Sequence, residues 1–221
     1  MSQLPKVILY NAVSLDSRIK GFNPDIGLYY ELAGTFQEDL TLFGSETILN
    51  VPDEIPEEKE EDWLGNAESS QNKNPLFAIC DSKGRVKTWH YWKKQPYWRD
   101  GIALCSANTP PEHLDYLEKR GIKKITTGTQ HVDFHEALIQ LKNSYGVERV
   151  RVDSGGKLNS VLIQDGLVDE INLLVHPCLV GGKSSENFYQ ASSDFSSLKL
   201  ETVEVVKDDF ILMKYSVTKS K

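Results

Sequence analysis

Val147-Glu148-Arg149-Val150-Arg151-Val152 alternates apolar and polar residues as a strand does, and it runs directly into Asp153-Ser154-Gly155-Gly156. Lys157-Leu158-Asn159 then opens a helical pattern, Leu158–Gln164, stopped by Gly166. Strand, glycine, helix is the punctuation of an α/β fold, and it recurs on both sides of this stretch. Before it come strand Ile102–Cys105, helix Pro111–Arg120 with Gly121 behind it, strand Lys124–Thr127, and helix Asp133–Tyr145, whose Phe134, Leu138, Leu141 and Tyr145 share one face. Earlier still, strand Val7–Val13 precedes helix Leu28–Phe36. Strand Leu40–Phe43 stops at Gly44, with Ser45-Glu46-Thr47 starting a helix, and strand Leu76–Cys80 ends in the turn Asp81-Ser82-Lys83-Gly84. After it come strand Ile171–Val175 and two strands, Leu198–Val206 and Phe210–Val217, joined by Lys207-Asp208-Asp209. The pattern predicts an α/β fold with a mostly parallel central sheet, helices on both faces and an antiparallel C-terminal hairpin. With no internal repeat and no long linker, one domain over residues 1–221 is expected, carrying an acidic loop insertion at about 51–74.

Composition narrows the class. Hydrophobic residues make up 39% and charged residues 26% of the 221, a globular balance, and no apolar run is long enough to cross a bilayer. The amino terminus lacks the charged start and apolar core of a secretory signal. Cys80, Cys105 and Cys178 are few, odd in number and far apart, which predicts reduced thiols and a cytoplasmic protein. The net charge of −7 argues against nucleic acid as a partner. Most of that charge is local: residues 53–62 hold seven acids and one lysine, and the rest of the chain has 24 bases against 25 acids. The acidic segment reads as a solvated loop.

Several constellations could carry chemistry. At the Gly155-Gly156 turn, glycines let a diphosphate approach the backbone, and the helix start favours an anion; a plain tight connection would look the same. Gly44-Ser45-Glu46-Thr47 has the same layout. Asn11, Ser14 and Asp16 converge at the end of the first strand, either as polar contacts to a bound heterocycle or as turn and cap residues. Residues 89–99 (WHYWKKQPYWR) hold five of the 21 aromatics with Lys93, Lys94 and Arg99, which suits a lid over a ring and phosphate as well as a packing surface. No metal site is expected: Asp133 is the better helix N-cap, which takes His131 off the face that bears His135. Zinc-deaminase, P-loop and nucleophile-elbow signatures are absent, so a cofactor enzyme whose protein part binds and orients is expected.

Taken together the motifs resemble the reductase family of riboflavin biosynthesis, which has a dihydrofolate-reductase-like three-layer sandwich. Asn11-Ala12-Val13-Ser14-Leu15-Asp16 resembles its N-A-x-S-L-D-G opening, and Gly44-x-x-Thr47 its G-x-x-T turn. Asp153-Ser154-Gly155-Gly156-x-Leu158-Asn159 is similar to E-G-G-x-x-L-N; Gly166–Glu170 matches G-L-V-D-E, and Pro177–Gly182 is similar to P-x-L-x-G-G. The resemblance implies a homodimer that uses NADPH to reduce a ribosylaminopyrimidine phosphate to its ribitylamino form. By that resemblance Gly44, Thr47, Gly155, Gly156, Leu158 and Asn159 bind the cofactor, and Asn11, Ser14, Asp16 and Ser154 lie on the substrate side. Loop residues after Ser106 or Gly128 are candidates for its 2′-phosphate. A dihydrofolate-type or other imine or carbonyl reductase, and a non-catalytic nucleotide binder, stay open as alternatives. Two departures stand out: the family's D-x-P-x-L-x-x-R after G-x-x-T is replaced by Asn50–Pro56 and the acidic loop, and its glutamate before the double glycine is Ser154. Arg85, Lys93, Lys94 and Arg99 are expected to supply the missing cationic contacts. Asp16, at a partly buried strand end, is the expected catalytic proton donor, with a raised pKa.

Overall fold

The computed structural model describes residues 4–51, 54–63, 72–182, 186–190 and 197–218. In chain order the elements begin β1 (Lys6–Ser14), α1 (Ile26–Ala33), β2 (Leu40–Gly44), α2 (Ser45–Leu49), β3 (Leu76–Cys80), α3 (Trp89–Lys93), β4 (Gly101–Cys105) and α4 (Pro111–Lys119). They continue with β5 (Lys123–Thr126), α5 (Phe134–Tyr145), β6 (Arg149–Val152), α6 (Gly156–Gln164), β7 (Glu170–His176), β8 (Leu198–Lys207) and β9 (Phe210–Val217). The chain forms two compact units, one on Glu38–Glu148 and one on Lys6–Gln37 with Arg149–Lys221. The architecture is mixed α/β with mostly parallel strands, as the alternation predicts.

In the first unit β2, β3, β4 and β5 lie side by side, all parallel. Its core gathers Phe43, Ile48, Phe77, Ile79, Val86, Trp89, Trp92, Ala103, Leu117 and Ile122. The aromatic-basic segment is therefore a packing element of this unit and not a lid. Trp89 is fully buried, and Trp98 sits 5.0 Å from the Phe77 ring and 5.5 Å from that of Phe43. Gly101 opens β4 because a Cβ there would lie 2.3 Å from the Phe77 ring. α5 starts where expected, with Asp133 accepting from the Glu136 N–H, and ends at Gly146, whose φ of 68° is the left-handed cap conformation.

The acidic segment is less solvated than its composition suggests. Residues Glu60–Trp63 form a 3₁₀ turn in which Asp62 is buried, paired with Lys94 and accepting from the Lys59 N–H. Glu58 accepts from the Trp63 indole and pairs with Arg120. Asp53 and residues 64–71 of this insertion lie outside the described residues.

In the second unit β1 is parallel to β6 on one side and β7 on the other; β9 joins β7 antiparallel, and β8 completes the hairpin. Tyr10 and Tyr29 stack at 4.4 Å, and each hydroxyl donates to the other's carbonyl, which ties α1 onto β1. α1 begins two residues earlier than the apolar pattern indicates, because Asp25 accepts from the Leu28 N–H and sets the start. α6 likewise begins at Gly156, with Gly155 as its N-cap, so only one of the two glycines is in the connection.

Candidate active site

In the first unit the parallel strands bring Gly44, Asp81, Ser106 and the Gly128 loop to one carboxyl edge, where ligands of open α/β sheets bind. Two of the expected cofactor contacts are accounted for internally. Ser106 is fully buried; its hydroxyl donates to the Gln130 carbonyl, and its N–H to the Thr109 hydroxyl. Gly128 has φ 67°, and a Cβ would meet the His131 carbonyl at 2.2 Å, so the turn itself requires glycine. Ala107 and Asn108 donate to the Gly128 and Thr129 carbonyls, which closes the two loops on each other. Thr47 lies half-buried on α2, three residues past Gly44.

The four cations expected to serve a substrate phosphate separate. Lys93 is bound to buried Asp100 at 2.8 Å, and Lys94 is taken by Asp62. Arg99 precedes β4, so it stands at the amino ends of these strands, the opposite end from Gly44 and Ser106, and it is withdrawn from the site. Arg85 alone stays by the Gly44 turn, with Nη2 donating to the Ser45 hydroxyl at 2.9 Å and Nη1 2.8 Å from Glu46.

Sequence reading missed the buried group beneath Arg85. His113 of α4 lies between Lys87, whose Nζ is 3.0 Å from Nδ1, and Asp81, 3.7 Å from Nε2. Burial, reinforced by the Lys87 ammonium, holds the His113 imidazole below its ordinary pKa. Asp81 also accepts from the Val86 N–H at 2.7 Å, pinning the loop that carries Arg85. The only sequence cue is the position of Asp81 at a strand end.

In the second unit the expected residues do come together. Asn11 donates to the Ser154 carbonyl at 2.8 Å, and Asn159 donates to Asn11 Oδ1 at 2.9 Å and to the Phe188 carbonyl at 2.8 Å. Leu158 is buried beside Asn159 on α6. The close approach at the double glycine is made by the chain itself. A Cβ on Gly156 would stand 2.2 Å from the Asn187 carbonyl and 2.8 Å from Gln190, whereas one on Gly155 would meet Ile19 at an ordinary 3.6 Å. Residues 186–190 thus form a strap over the start of α6, held by the 17–19 turn: Ile19 N–H donates to the Glu186 carbonyl, and Phe188 N–H to the Ser17 carbonyl.

Asp16 does not have the raised pKa that its position suggests. The Val180 N–H, the Ser14 hydroxyl and the Gly181 N–H all donate to its carboxylate, and they hold it well below the usual carboxylate range. The Ser14 hydroxyl in turn accepts from the Arg18 N–H. Asp16 is a strut for the loop after β7. His176, at the end of β7, accepts the Asp25 N–H at Nε2, so its Nδ1–H donates to the Leu174 carbonyl; Phe22 and Phe210 flank the ring.

The chemistry these groups offer is recognition and orientation. Burial pushes the Cys80 thiol up to about 12 and Cys105 up to about 11, so neither is an activated nucleophile. Among the described residues, no group of three or more His, Cys, Asp or Glu is placed to hold a metal, and no helix is long and apolar enough to cross a membrane.

Comparison with known proteins agrees with the motif reading. The RibD C-terminal domain family model matches residues 5–212. A 2,5-diamino-6-ribosylamino-4(3H)-pyrimidinone 5′-phosphate reductase from Methanothermobacter thermautotrophicus is 25% identical over 96% of this chain and 98% of that protein. A protein of the same name from Archaeoglobus fulgidus is 27% identical over 79% of this chain and 78% of its own length. Among solved structures, a pyrimidine reductase-like protein from Corynebacterium diphtheriae superposes with TM-score 0.74 at 15% identity, covering 98% of this chain and 93% of that one. A riboflavin biosynthesis reductase from Saccharomyces cerevisiae gives 0.63 at 17% identity, over 97% and 90%. These likenesses establish the dihydrofolate-reductase-like fold, and the chain belongs to the RibD C-terminal domain family.

Proposed function

We propose that this protein is an NADPH-dependent reductase that converts a ribosylaminopyrimidine phosphate to its ribitylamino form in riboflavin biosynthesis, working in the cytoplasm as a homodimer. The observation that carries this reading is the match to a named reductase over nearly the whole length of both chains. NADPH supplies the hydride when bound. By the motif resemblance Gly44 with Thr47, and Gly155 and Gly156 with Leu158 and Asn159, are the residues assigned to it. The fit differs between the two sets. The Gly44 turn has an exposed guanidinium beside it, which suits an anion. At the double glycine the strap 186–190 lies on Gly156, so the cofactor would be met by the strap as well as by the helix start.

On the substrate side Asn11, Ser14 and Ser154 act through position. Their polar groups are buried or hydrogen-bonded into a fixed frame, which is how a protein holds a flexible, ring-opened sugar in line for hydride delivery. The reaction needs no protein nucleophile. Homodimerisation is supported by β8, nearly all of whose residues are exposed, Leu200, Val203 and Val205 among them.

The test is NADPH oxidation, followed by its absorbance loss with the ribosylaminopyrimidine phosphate as substrate, together with mass detection of a product two hydrogens heavier. NADPH at roughly a hundred times its Kd should also stabilise the fold by about 2.7 kcal/mol. Stabilisation without turnover would favour a nucleotide-binding role. Turnover only with dihydrofolate or another imine would replace the substrate, and the absence of both stabilisation and turnover would overturn the reading.

A further inference from the structure

We infer that the pocket where the acidic segment meets the end of α4 is a binding site for a phosphorylated planar heterocycle, separate from the edge that carries Gly44. The pocket has a volume of about 380 Å³ and is lined by Glu58, Lys59, Glu60, Trp63, Lys119 and Arg120. α4 ends where the chain turns into β5, so the pocket stands at the amino ends of the first unit's parallel strands. A molecule bound there meets none of the groups at the carboxyl edge.

Trp63 is held in one orientation before any ligand arrives. Its indole N–H donates to Glu58 Oε1 at 2.6 Å, and the same oxygen accepts from Arg120 Nε. Arg120 in turn lies on the Tyr116 ring, 3.9 Å from its centroid, with Nη1 donating to the Tyr116 carbonyl at 3.4 Å. The Tyr116 hydroxyl donates to the Lys87 carbonyl at 2.8 Å, which ties the whole chain of contacts to the body of the unit. Trp63 is half-buried and lines the pocket. An indole set in this way is a stacking platform that a ligand need not order.

The same network leaves one hydrogen-bonding atom over on each of its charged partners. Arg120 Nη2, a donor, and Glu58 Oε2, an acceptor, have no partner among the described residues. A ring edge that carries a carbonyl beside an N–H, as guanine does, offers the complement of both.

Two ammonium groups remain for an anion. Lys119 makes no ion pair among the described residues. Lys59 meets Glu61 only at 3.7 Å, with both side chains largely exposed, and such a pair contributes little. A phosphate that joins these lysines displaces no buried partner and gains charge-assisted hydrogen bonds. Glu60, exposed on the pocket wall, opposes that phosphate, so removing its charge should help the ligand. A Trp63 that serves only to anchor the acidic segment predicts no such gain.

The experiment is calorimetric titration of the full chain with guanosine 5′-monophosphate, guanosine and ribose 5-phosphate. The wild type should bind the nucleotide about tenfold or more tighter than guanosine, the worth of a charged hydrogen bond. It should bind it about tenfold tighter than ribose 5-phosphate, the worth of one base stacked on an aromatic ring. Trp63→Leu should abolish the preference over ribose 5-phosphate, and Trp63→Phe, which keeps a ring, should retain part of it. Lys119→Ala should weaken the preference over guanosine, Glu60→Gln should raise affinity for the nucleotide about threefold, and added salt should lower it. Thermal unfolding of each variant separates lost binding from lost fold, and Lys119→Ala, at an exposed position, keeps the test open should Trp63→Leu not fold. No nucleotide binding, equal binding of the three probes, or a nucleotide affinity that survives both Trp63→Leu and Lys119→Ala in folded proteins overturns the inference. These variants lie outside the residues assigned to the cofactor and substrate, so NADPH oxidation without added nucleotide should stay within about twofold of wild type and tests the reductase reading separately.

Discussion

The Gly44 turn and the Gly155-Gly156 turn read alike in sequence, each a strand ending in glycine with a helix directly behind it, yet they sit in different surroundings. At the first, the neighbouring side chains Ser45 and Glu46 engage the exposed Arg85. At the second, the Asn187 carbonyl and the Gln190 side chain occupy the space where a Cβ would be. A glycine before a helix reports that something comes close to the backbone; it does not report whether that is a ligand or the chain's own strap. The two turns therefore call for different experiments.

The largest effect should come from Gly156→Ala. The added Cβ cannot coexist with the Asn187 carbonyl at 2.2 Å, so the strap must move or the helix start must shift, a cost of about 1–3 kcal/mol of the kind overpacking brings. Gly155→Ala is the matched control: its φ of −84° and a 3.6 Å neighbour tolerate alanine, and its effect should stay within about 0.5 kcal/mol. Urea unfolding of the pair measures the contrast, and limited proteolysis shows whether residues 186–190 come loose. Equal effects would mean that the strap does not bear on Gly156.

That strap marks the limit of what the sequence discloses. The strand-glycine-helix alternation at Val152–Asn159, the Asp133 cap and the hairpin around Asp208 are local signals, set by residues a few positions apart, and each is found where its pattern indicates. Asn11, Ser154 and Asn159 meet because β1 and β6 are neighbouring parallel strands and α6 follows β6 directly. The misread residues were those whose partners lie outside their own motif. Asp16 looks like a free carboxyl until Val180 and Gly181, 164 and 165 residues away, donate to it. The cations of residues 89–99 look available until Asp62 and Asp100 claim two of them, and the tryptophans look like a lid until Phe43 and Phe77 receive them. Charge and aromatic content are visible in one dimension; which charges neutralise one another is not.

The next effects distinguish the two units by acid. In the first, His113 has a folded-state pKa below its ordinary 6.5, so the unfolded chain binds its proton more readily and acid favours unfolding. The stability this group contributes is present above about 6.5 and is lost as pH falls through the depressed folded value. The wild-type Tm should drop as pH falls below 6.5, and His113→Gln should flatten that part of the profile while loosening the Arg85 loop. In the second unit Asp16 has the same sign in a lower window. Its carboxylate is held ionised, so its contribution is present above about 3.8 and fades only in stronger acid. Asp16→Asn should therefore lose less stability than the wild type as pH falls below 4. At neutral pH it should retain kcat far better than loss of an essential proton donor would allow. A kcat that collapses while the fold and KM are kept would restore Asp16 to the chemistry.

The smallest effect is expected at Arg99, at the end of the first unit remote from the Gly44 turn. Its N–H donates to the Pro75 carbonyl, a backbone bond that alanine keeps, and its side chain precedes the buried start of β4. Arg99→Ala should leave KM for a phosphorylated substrate within about twofold of wild type, the range of a surface change away from the site. Arg85→Ala measured beside it turns this silence into information. Both substitutions remove one guanidinium and shift the net charge equally, so any difference between them comes from position along the parallel strands and not from long-range charge. A rise in KM for Arg99→Ala that matched Arg85→Ala would mean that the carboxyl edge is not where phosphate is read.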